Sequence, residues 1–162
     1  MKKVFIITLL LSITLSGYSQ LPSVSLKNID GKVVNTDTIN NGGKPFIMSF
    51  FATWCHPCRR ELNNINDVYE EWQEETGVKL IAVSIDDAQD VAKVKPLVIS
   101  SGWEYEVLLD PNGDFKRALN ITSVPTVIVF DGTGKIISRR TGYVEGSENH
   151  LLEQVKELEK GN

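Results

Sequence analysis

The only two cysteines of this 162-residue chain, Cys55 and Cys58, lie close together in the run FFATWCHPCRREL. A disulfide between them would close a ring of only four residues. Such a small ring removes little conformational entropy from the unfolded chain, so it adds little stability. The spacing therefore argues against a structural crosslink, and the role of the pair depends on its compartment and on the elements that position it.

The first 19 residues have the layout of a secretory signal peptide. Two lysines provide positive charge, residues 4–15 form an apolar run interrupted only by Thr and Ser, and Gly17 and Ser19 supply the small residues of a cleavage site. The run is shorter than the roughly 20 residues of a membrane-spanning helix, which favours a cleaved leader over an anchor. We expect cleavage after Ser19 and a periplasmic or otherwise extracytoplasmic location.

Charge and length limit the function classes further. Without the leader the chain has 15 basic and 21 acidic residues and no long basic run, so nothing favours binding to nucleic acid. The remaining length is sufficient to bury one hydrophobic core. Because no internal repeat or low-complexity segment divides the chain, we expect one domain over residues 20–162.

Apolar runs and amphipathic segments alternate along the chain. Three runs, PFIMSFFAT, VKLIAVSID and PTVIVF, are typical of strands buried on both faces. Short strands around the Asp30–Gly31 turn precede them, and a hairpin through DGTG and a helix follow them. A helix is predicted from the cysteines to Gly77, and a helical segment over residues 87–101 is interrupted by Pro96. This order predicts an α/β fold with helices around one sheet.

The cysteines lie where a predicted buried strand ends and a predicted helix begins. Unpaired N–H groups and the helix dipole at this position favour a thiolate over a thiol, and the thiolate is the reactive form. We expect Cys55, at the mouth of the helix, to be exposed and to attack a substrate disulfide. Cys58, one turn further, should be covered and should release the product. Pro57 suits the first turn because its missing N–H needs no partner there.

The run FFATWCHPCRREL resembles the active-site segment of the thioredoxin superfamily, and most closely that of the exported TlpA/ResA-like thiol–disulfide oxidoreductases. A second match is SVPTVIVF at residues 123–130. The resemblance covers about residues 24–160. It implies a thioredoxin-like three-layer sandwich with a central mixed sheet, extra N-terminal strands and a helical insert. It also implies a cis Val124–Pro125 bond, with Pro125 facing the cysteines and the Val124 backbone pairing with bound substrate.

Two positions differ from plain thioredoxins. Ser49 stands where those proteins have a buried Asp, so another group must help to deprotonate Cys58. Glu61 matches a glutamate with this role in ResA-like proteins, and the alternative is a solvated acid that complements the helix dipole.

His56 between the cysteines is expected to stabilise the neighbouring thiolate, and the alternative is a side chain that only points to solvent. Trp54 is expected both to pack in the core and to cover Cys55.

The resemblance implies a dithiol–disulfide oxidoreductase that reduces disulfides in exported proteins, with a part in cytochrome c maturation. Its expected partners are disulfide-bearing exported proteins and a membrane thiol that donates electrons, and the protein is expected to be a monomer. No cofactor or metal is expected beyond the redox-active disulfide between Cys55 and Cys58.

Two other functions remain open. A thiol peroxidase of the peroxiredoxin type shares the fold, but its peroxidatic cysteine follows a threonine by three residues, whereas Thr53 precedes Cys55 by two. A metal-delivery module would use the two cysteines and His56 as ligands, but the chain has no further cysteine to complete a zinc site. Assays of disulfide reduction, peroxide consumption and metal content separate the three functions.

Overall fold

The computed structural model describes residues 21–160, and the predicted leader lies outside them. Within this range seven strands form one sheet: β1 Ser25–Asn28, β2 Val33–Asn35, β3 Phe46–Phe51, β4 Lys79–Ser84, β5 Glu106–Leu109, β6 Thr126–Phe130 and β7 Ile136–Thr141. The helices are α1 His56–Asn66, α2 Tyr69–Thr76, α3 Val94–Ser101, α4 Asp114–Ala118 and α5 Ser147–Lys160. No helix in the described range is both long and apolar enough to cross a bilayer.

The sheet is mixed, as expected. Its strand order is β2-β1-β5-β4-β3-β6-β7. The inner strands β3, β4 and β5 are parallel to one another, whereas β6 runs antiparallel to β3 and forms a hairpin with β7. The two N-terminal strands extend the opposite edge. The cysteines therefore follow an inner strand, whose six residues are all buried.

Alternation along β3 divides the core into two hydrophobic clusters. Phe46, Met48 and Phe50 belong to the cluster that α4 covers. Ile47 and Phe51 belong to the cluster that also contains the buried residues of α1, α2, α3 and α5. Since successive side chains of a strand point to opposite faces, the sheet lies between two layers. The three-layer arrangement expected from the resemblance is confirmed.

The helix predicted from the cysteines to Gly77 is two helices in the structure. α1 ends at Asn66, α2 begins at Tyr69, and Val68 between them has non-helical backbone angles (φ −121°, ψ 4°). Val68 packs against the same cluster as the buried faces of both helices. The prediction of one helix was wrong because the three- and four-residue spacing of apolar side chains continues across the break.

The helical insert also differs from a simple interrupted helix. A single 3-10 turn at Val91–Lys93 leads directly into α3. Pro96 lies in the first turn of α3, where its missing N–H leaves no hydrogen bond unmade. The insert places the buried residues Val94 and Val98 against the cluster under α1 and leaves a cleft between α1 and α3.

Candidate active site

Cys55 and Cys58 are joined by a disulfide at the junction of β3 and α1. Cys55 is the N-cap of α1, and its Sγ accepts a hydrogen bond from the backbone N–H of Cys58 at 3.3 Å. Pro57 occupies the first turn, as predicted. A sulfur that receives an N–H at a helix N-terminus is favoured as a thiolate once the disulfide is reduced. The predicted placement of the pair is therefore confirmed.

The exposure of the two sulfurs differs less than expected. Cys55 has a relative exposure of 5% and Cys58 of 0%. The prediction that Cys55 is exposed was wrong for this disulfide-bonded form, because both cysteines lie within the hydrophobic cluster beneath α1. The remaining exposed surface still belongs to Cys55, which makes it the cysteine that a substrate can reach.

Exposed side chains flank Cys55 on both sides in the sequence. Trp54 is 65% exposed, and His56 is also exposed. The expectation that Trp54 packs in the core was wrong, because the neighbouring Thr53 is the residue that anchors this loop to the interior. A covering role for Trp54 and an effect of His56 on the thiolate stay predictions.

A buried carboxylate, Asp86, holds the loop before the cysteines. It accepts the backbone N–H of Thr53 at 2.9 and 3.1 Å and the Thr53 hydroxyl at 2.6 Å. The hydroxyl of Ser84, at the end of β4, donates to the same carboxylate at 2.8 Å. Sequence analysis did not identify Asp86. The sequence feature that could have identified it is an acidic residue two positions after the buried strand β4.

We expect Asp86→Ala to lower the free energy of unfolding by about 2–4 kcal/mol, because it leaves the buried Ser84 hydroxyl and two partly buried donors of Thr53 without their acceptor. Urea unfolding of the oxidised proteins measures the change. Asp37→Ala removes an exposed acid and is the matched control. Equal unfolding midpoints for the two variants would show that the Asp86 contacts do not stabilise the loop.

Glu61 lies one turn after Cys58 on α1 and is fully buried. Its Oε1 accepts a hydrogen bond from Nη2 of Arg140 on β7, and the two side chains form an ion pair. Its Oε2 is buried and has no hydrogen-bond partner among the described residues. Glu61 is therefore not the solvated acid of the alternative interpretation.

Burial raises the pKa of Glu61 from its ordinary value of 4.5 to about 7. The positive charge and hydrogen bond of Arg140 oppose the rise, and the Glu148 carboxylate on α5 adds to it. The predicted upward shift of this pKa is confirmed. A carboxyl group with a pKa near neutrality is suited to take up and release a proton at physiological pH.

Arg140 also connects Glu61 to the loop that precedes β6. Its Nη1 donates to the Gly142 carbonyl at 3.1 Å and to the Ser147 hydroxyl at 2.6 Å. The Gly142 N–H donates in turn to the Pro125 carbonyl at 2.8 Å. Sequence analysis did not identify Arg140, which lies 79 residues from Glu61 and has no local signal that distinguishes it from a surface arginine.

The Val124–Pro125 peptide bond is cis, as predicted. Pro125 is buried and Val124 is half-buried. Thr126, the next residue, pairs with Phe50 of β3. Pro125 therefore lies at the end of β3 from which the cysteines extend, while contact of the Val124 backbone with substrate stays a prediction.

Two further positions bear on the chemistry. Ser49 is buried in β3, and its Oγ has no hydrogen-bond partner within the described residues. It provides no ionisable group near the cysteines, which leaves the carboxyl of Glu61 as the acid that shares a helix face with Cys58. Among residues 21–160, no group of three or more His, Cys, Asp or Glu side chains is arranged to hold a metal ion.

Sequence comparison links the chain to thioredoxin-like redox proteins. The model of the AhpC/TSA family matches residues 18–139. The thiol–disulfide oxidoreductase ResA of Bacillus thuringiensis subsp. konkukian is 28% identical over 139 residues, which cover 86% of this chain and 76% of that protein. The family match includes Cys55, Cys58, Glu61 and Pro125 and ends just before Arg140.

Solved structures agree with the fold. An uncharacterized thioredoxin-like protein from Porphyromonas gingivalis is 61% identical, with a TM-score of 0.77 over 87% of this chain and 92% of that chain. StoA from Bacillus subtilis is 24% identical, with a TM-score of 0.65 over 85% of this chain and 96% of that chain. At its lower identity the StoA likeness shows the fold alone. The thioredoxin-like fold expected from the sequence is confirmed.

Proposed function

The chain belongs to the AhpC/TSA family, and we propose, from its similarity to ResA and from its Cys55–Cys58 disulfide, that it reduces disulfide bonds in extracytoplasmic proteins. It is a thiol–disulfide oxidoreductase similar to ResA. The observation that carries the proposal is the disulfide between Cys55 and Cys58 at the start of α1. This pair supplies the two thiols that disulfide exchange requires, at a position that favours the thiolate.

The first step is attack by Cys55 of the reduced protein. Its thiolate forms a bond to one sulfur of the substrate disulfide, and the other substrate sulfur leaves as a thiolate. The product is a mixed disulfide between Cys55 and the substrate. The N–H of Cys58, which points at the Cys55 sulfur, stabilises the attacking thiolate.

The second step is resolution by Cys58. The Cys58 thiol gives its proton to Glu61, and the resulting thiolate attacks the Cys55 sulfur. The second substrate thiolate leaves, so two electrons pass to the substrate and the Cys55–Cys58 disulfide forms. Burial raises a thiol pKa, which makes an assisting base valuable. The unpartnered Oε2 of Glu61 and its pKa of about 7 support this role.

The surrounding residues take supporting parts in the proposal. An extended substrate segment lies against the Val124–Pro125 loop, with the Val124 backbone as its pairing partner. Trp54 flanks the entry to Cys55 with a large exposed ring, which fits contact with an apolar part of the substrate. His56 stabilises the Cys55 thiolate from the exposed side.

The cellular setting follows from the leader. Cleavage after Ser19 releases residues 20–162 outside the cytoplasm, where disulfides are common. Each turnover consumes two electrons, so a membrane thiol must return the Cys55–Cys58 pair to the reduced state. We propose that the protein acts there as a monomer and takes part in cytochrome c maturation.

Reduction of insulin disulfides by the pre-reduced protein tests the proposed activity. We expect stoichiometric reduction, no comparable consumption of hydrogen peroxide, and no bound metal in the purified protein. The peroxidase alternative gains no support from Thr53, because its hydroxyl donates to Asp86. Faster consumption of peroxide than of insulin disulfides would favour the peroxidase and overturn the proposal.

The reduction potential of the Cys55–Cys58 couple tests the direction of electron flow. Stabilisation of the Cys55 thiolate by His56 raises the potential, so we expect a value somewhat above that of thioredoxin, about −270 mV, measured by equilibration with a thiol redox buffer. A value near about −120 mV, as in strong periplasmic oxidants, would make the protein an oxidant instead.

A further inference from the structure

A cleft of about 240 Å³ lies between α1 and α3 and begins beside the active site. Its lining residues are His56, Arg59, Arg60, Asn63, Leu97 and Ser101. The four from α1 follow one another at helical spacing and form one face of that helix. This face is different from the one that carries Cys58 and Glu61. We call this feature the α1–α3 cleft.

The α1–α3 cleft is positively charged. Two arginines line it and no carboxylate does, although the chain as a whole has a net charge of −4. Within residues 21–160, Arg59 forms no ion pair, and its Nε is buried without a hydrogen-bond partner. A cationic cleft in an acidic protein attracts anionic groups to this position.

The second arginine of the α1–α3 cleft, Arg60, forms only an exposed ion pair. Arg60 pairs with Glu145 at 2.5 Å, but the two side chains are 52% and 71% exposed. Exposed ion pairs of this kind contribute little to stability, so Arg60 can exchange its partner for an incoming carboxylate at small cost. Arg59 and Arg60 together thus offer several N–H donors to an anion.

The cleft has a fixed wall and an apolar lining residue. The Asn63 side chain accepts a hydrogen bond from the indole N–H of Trp103 at 2.7 Å, which holds this end of the cleft in place. Leu97 is half-buried against the hydrophobic cluster. A planar guanidinium beside an apolar side chain suits the carboxylate and methylene groups of an acidic amino acid.

We propose that the α1–α3 cleft binds an acidic side chain of the substrate, close to the substrate cysteine that reacts with Cys55. The inference rests on the proposed disulfide reductase function and adds a substrate preference to it. Arg59 is about one helical turn from Cys55, or roughly 5–6 Å along the axis. An extended peptide spans this distance in about two residues. The preferred Asp or Glu therefore stands two or three positions from the reacting cysteine.

Peptides with one cysteine as a 2-pyridyl mixed disulfide test the proposal. Cys55 attacks the peptide sulfur and releases the neutral chromophore pyridine-2-thione. One peptide carries Glu two or three positions from its cysteine, and its partner carries Gln there. The measured quantity is the ratio of the second-order rate constants for the two peptides. For the wild type we expect a ratio of about ten, the effect of roughly one charge-assisted hydrogen bond.

Two arginine variants identify the source of the preference. Arg59→Gln should reduce the Glu-to-Gln ratio to about one, and high salt should weaken it in the wild type. Arg117→Gln is the matched control, because Arg117 is an exposed arginine of α4 that pairs with Asp114 and does not line the cleft. This control should retain the wild-type ratio.

The outcomes separate the cleft from the reductase function. A wild-type ratio of one, with both peptides reduced, overturns the cleft proposal and leaves the reductase function intact. An equal loss of the ratio in Arg117→Gln also overturns it, since the preference would then reflect overall charge. Failure of the wild type to react with either peptide or with insulin overturns the proposed function itself.

Discussion

We expect the reduced Cys58→Ser variant to accumulate mixed disulfides with its substrates, whereas Cys55→Ser accumulates none. Cys55 retains the exposed surface of the pair and is the N-cap that accepts the Cys58 N–H. Cys58 has no exposed surface, so it reaches only the Cys55 sulfur. Both variants should lose catalytic turnover, because exchange needs one thiol to attack and a second to release the product.

Non-reducing electrophoresis and mass spectrometry of each variant after incubation with insulin measure the trapped species. The Cys55→Ser/Cys58→Ser double variant is the control and should carry no adduct. Adducts of comparable amount on Cys55→Ser would reverse the roles of the two cysteines. Absence of adducts on both single variants would instead argue against disulfide exchange as the reaction.

Local sequence patterns predicted most of the scaffold. Continuous apolar runs identified the buried strands β3, β4 and β6, and the position of the cysteines between a strand and a helix followed from the sequence around them. These features depend on neighbours within a few residues, which a single sequence contains. The break at Val68 was missed because the apolar spacing on its two sides is the same.

The contacts that complete the site depend on long-range pairing. Arg140 reaches Glu61 because β7 pairs with β6 and β6 with β3. Asp86 reaches Thr53 because β4 lies beside β3 in parallel register. In the sequence these residues look like ordinary polar side chains at strand ends. Their partners are known only once the strand order is known, which sequence patterns do not specify.

Burial at the site was the least predictable property. The sequence favoured an exposed Cys55 and a packed Trp54, and the structure has nearly the reverse. The exposure of a loop side chain depends on which neighbour is anchored, and here the anchor is Thr53 on Asp86. Glu61 was correctly expected to have a raised pKa, but the Arg140 that opposes the rise was not foreseen.

We expect Glu61→Gln to slow resolution of the mixed disulfide by about 10²-fold at neutral pH, the lower end of what a general base contributes. In the wild type, the rate of this step should rise through pH 7 as Glu61 ionises. In the variant it should rise only where Cys58 itself ionises, above the ordinary thiol pKa of about 8.5. Attack by Cys55, measured separately by stopped flow, should be little changed.

Arg140 sets the position of that pH profile. Its charge lowers the pKa of Glu61, so Arg140→Gln should move the midpoint of the resolving step upward by about one pH unit or more. Arg140→Lys keeps the positive charge and should shift the pH midpoint of the resolving step less. Arg139→Gln is the matched control, because Arg139 is the neighbouring arginine on β7 and donates to the Leu119 carbonyl instead. An unchanged midpoint in Arg140→Gln would show that Glu61 is not the base.

The carboxyl group of Glu61 should also affect how the free energy of unfolding depends on pH, a property that does not depend on catalysis. The charged groups that act on Glu61 are Arg140 from β7 and Glu148 from α5, and the Tyr105 phenol nearby stays neutral because its pKa is raised. Folding raises the pKa of Glu61 from 4.5 to about 7, so between these values the folded state binds more protons than the unfolded state. The stability that this group contributes is thus fully present below pH 4.5 and is lost as the pH rises through 7.

Comparison with Glu61→Gln isolates this contribution, because all other titrating groups are shared. Urea unfolding of the oxidised proteins at about pH 4 and about pH 8 should show the wild type losing about 3 kcal/mol relative to the variant. If the free energy of unfolding changed equally with pH in the wild type and in Glu61→Gln, Glu61 would not titrate in this range. A slow resolving step in Glu61→Gln would then reflect altered packing around Cys58 rather than the loss of a base.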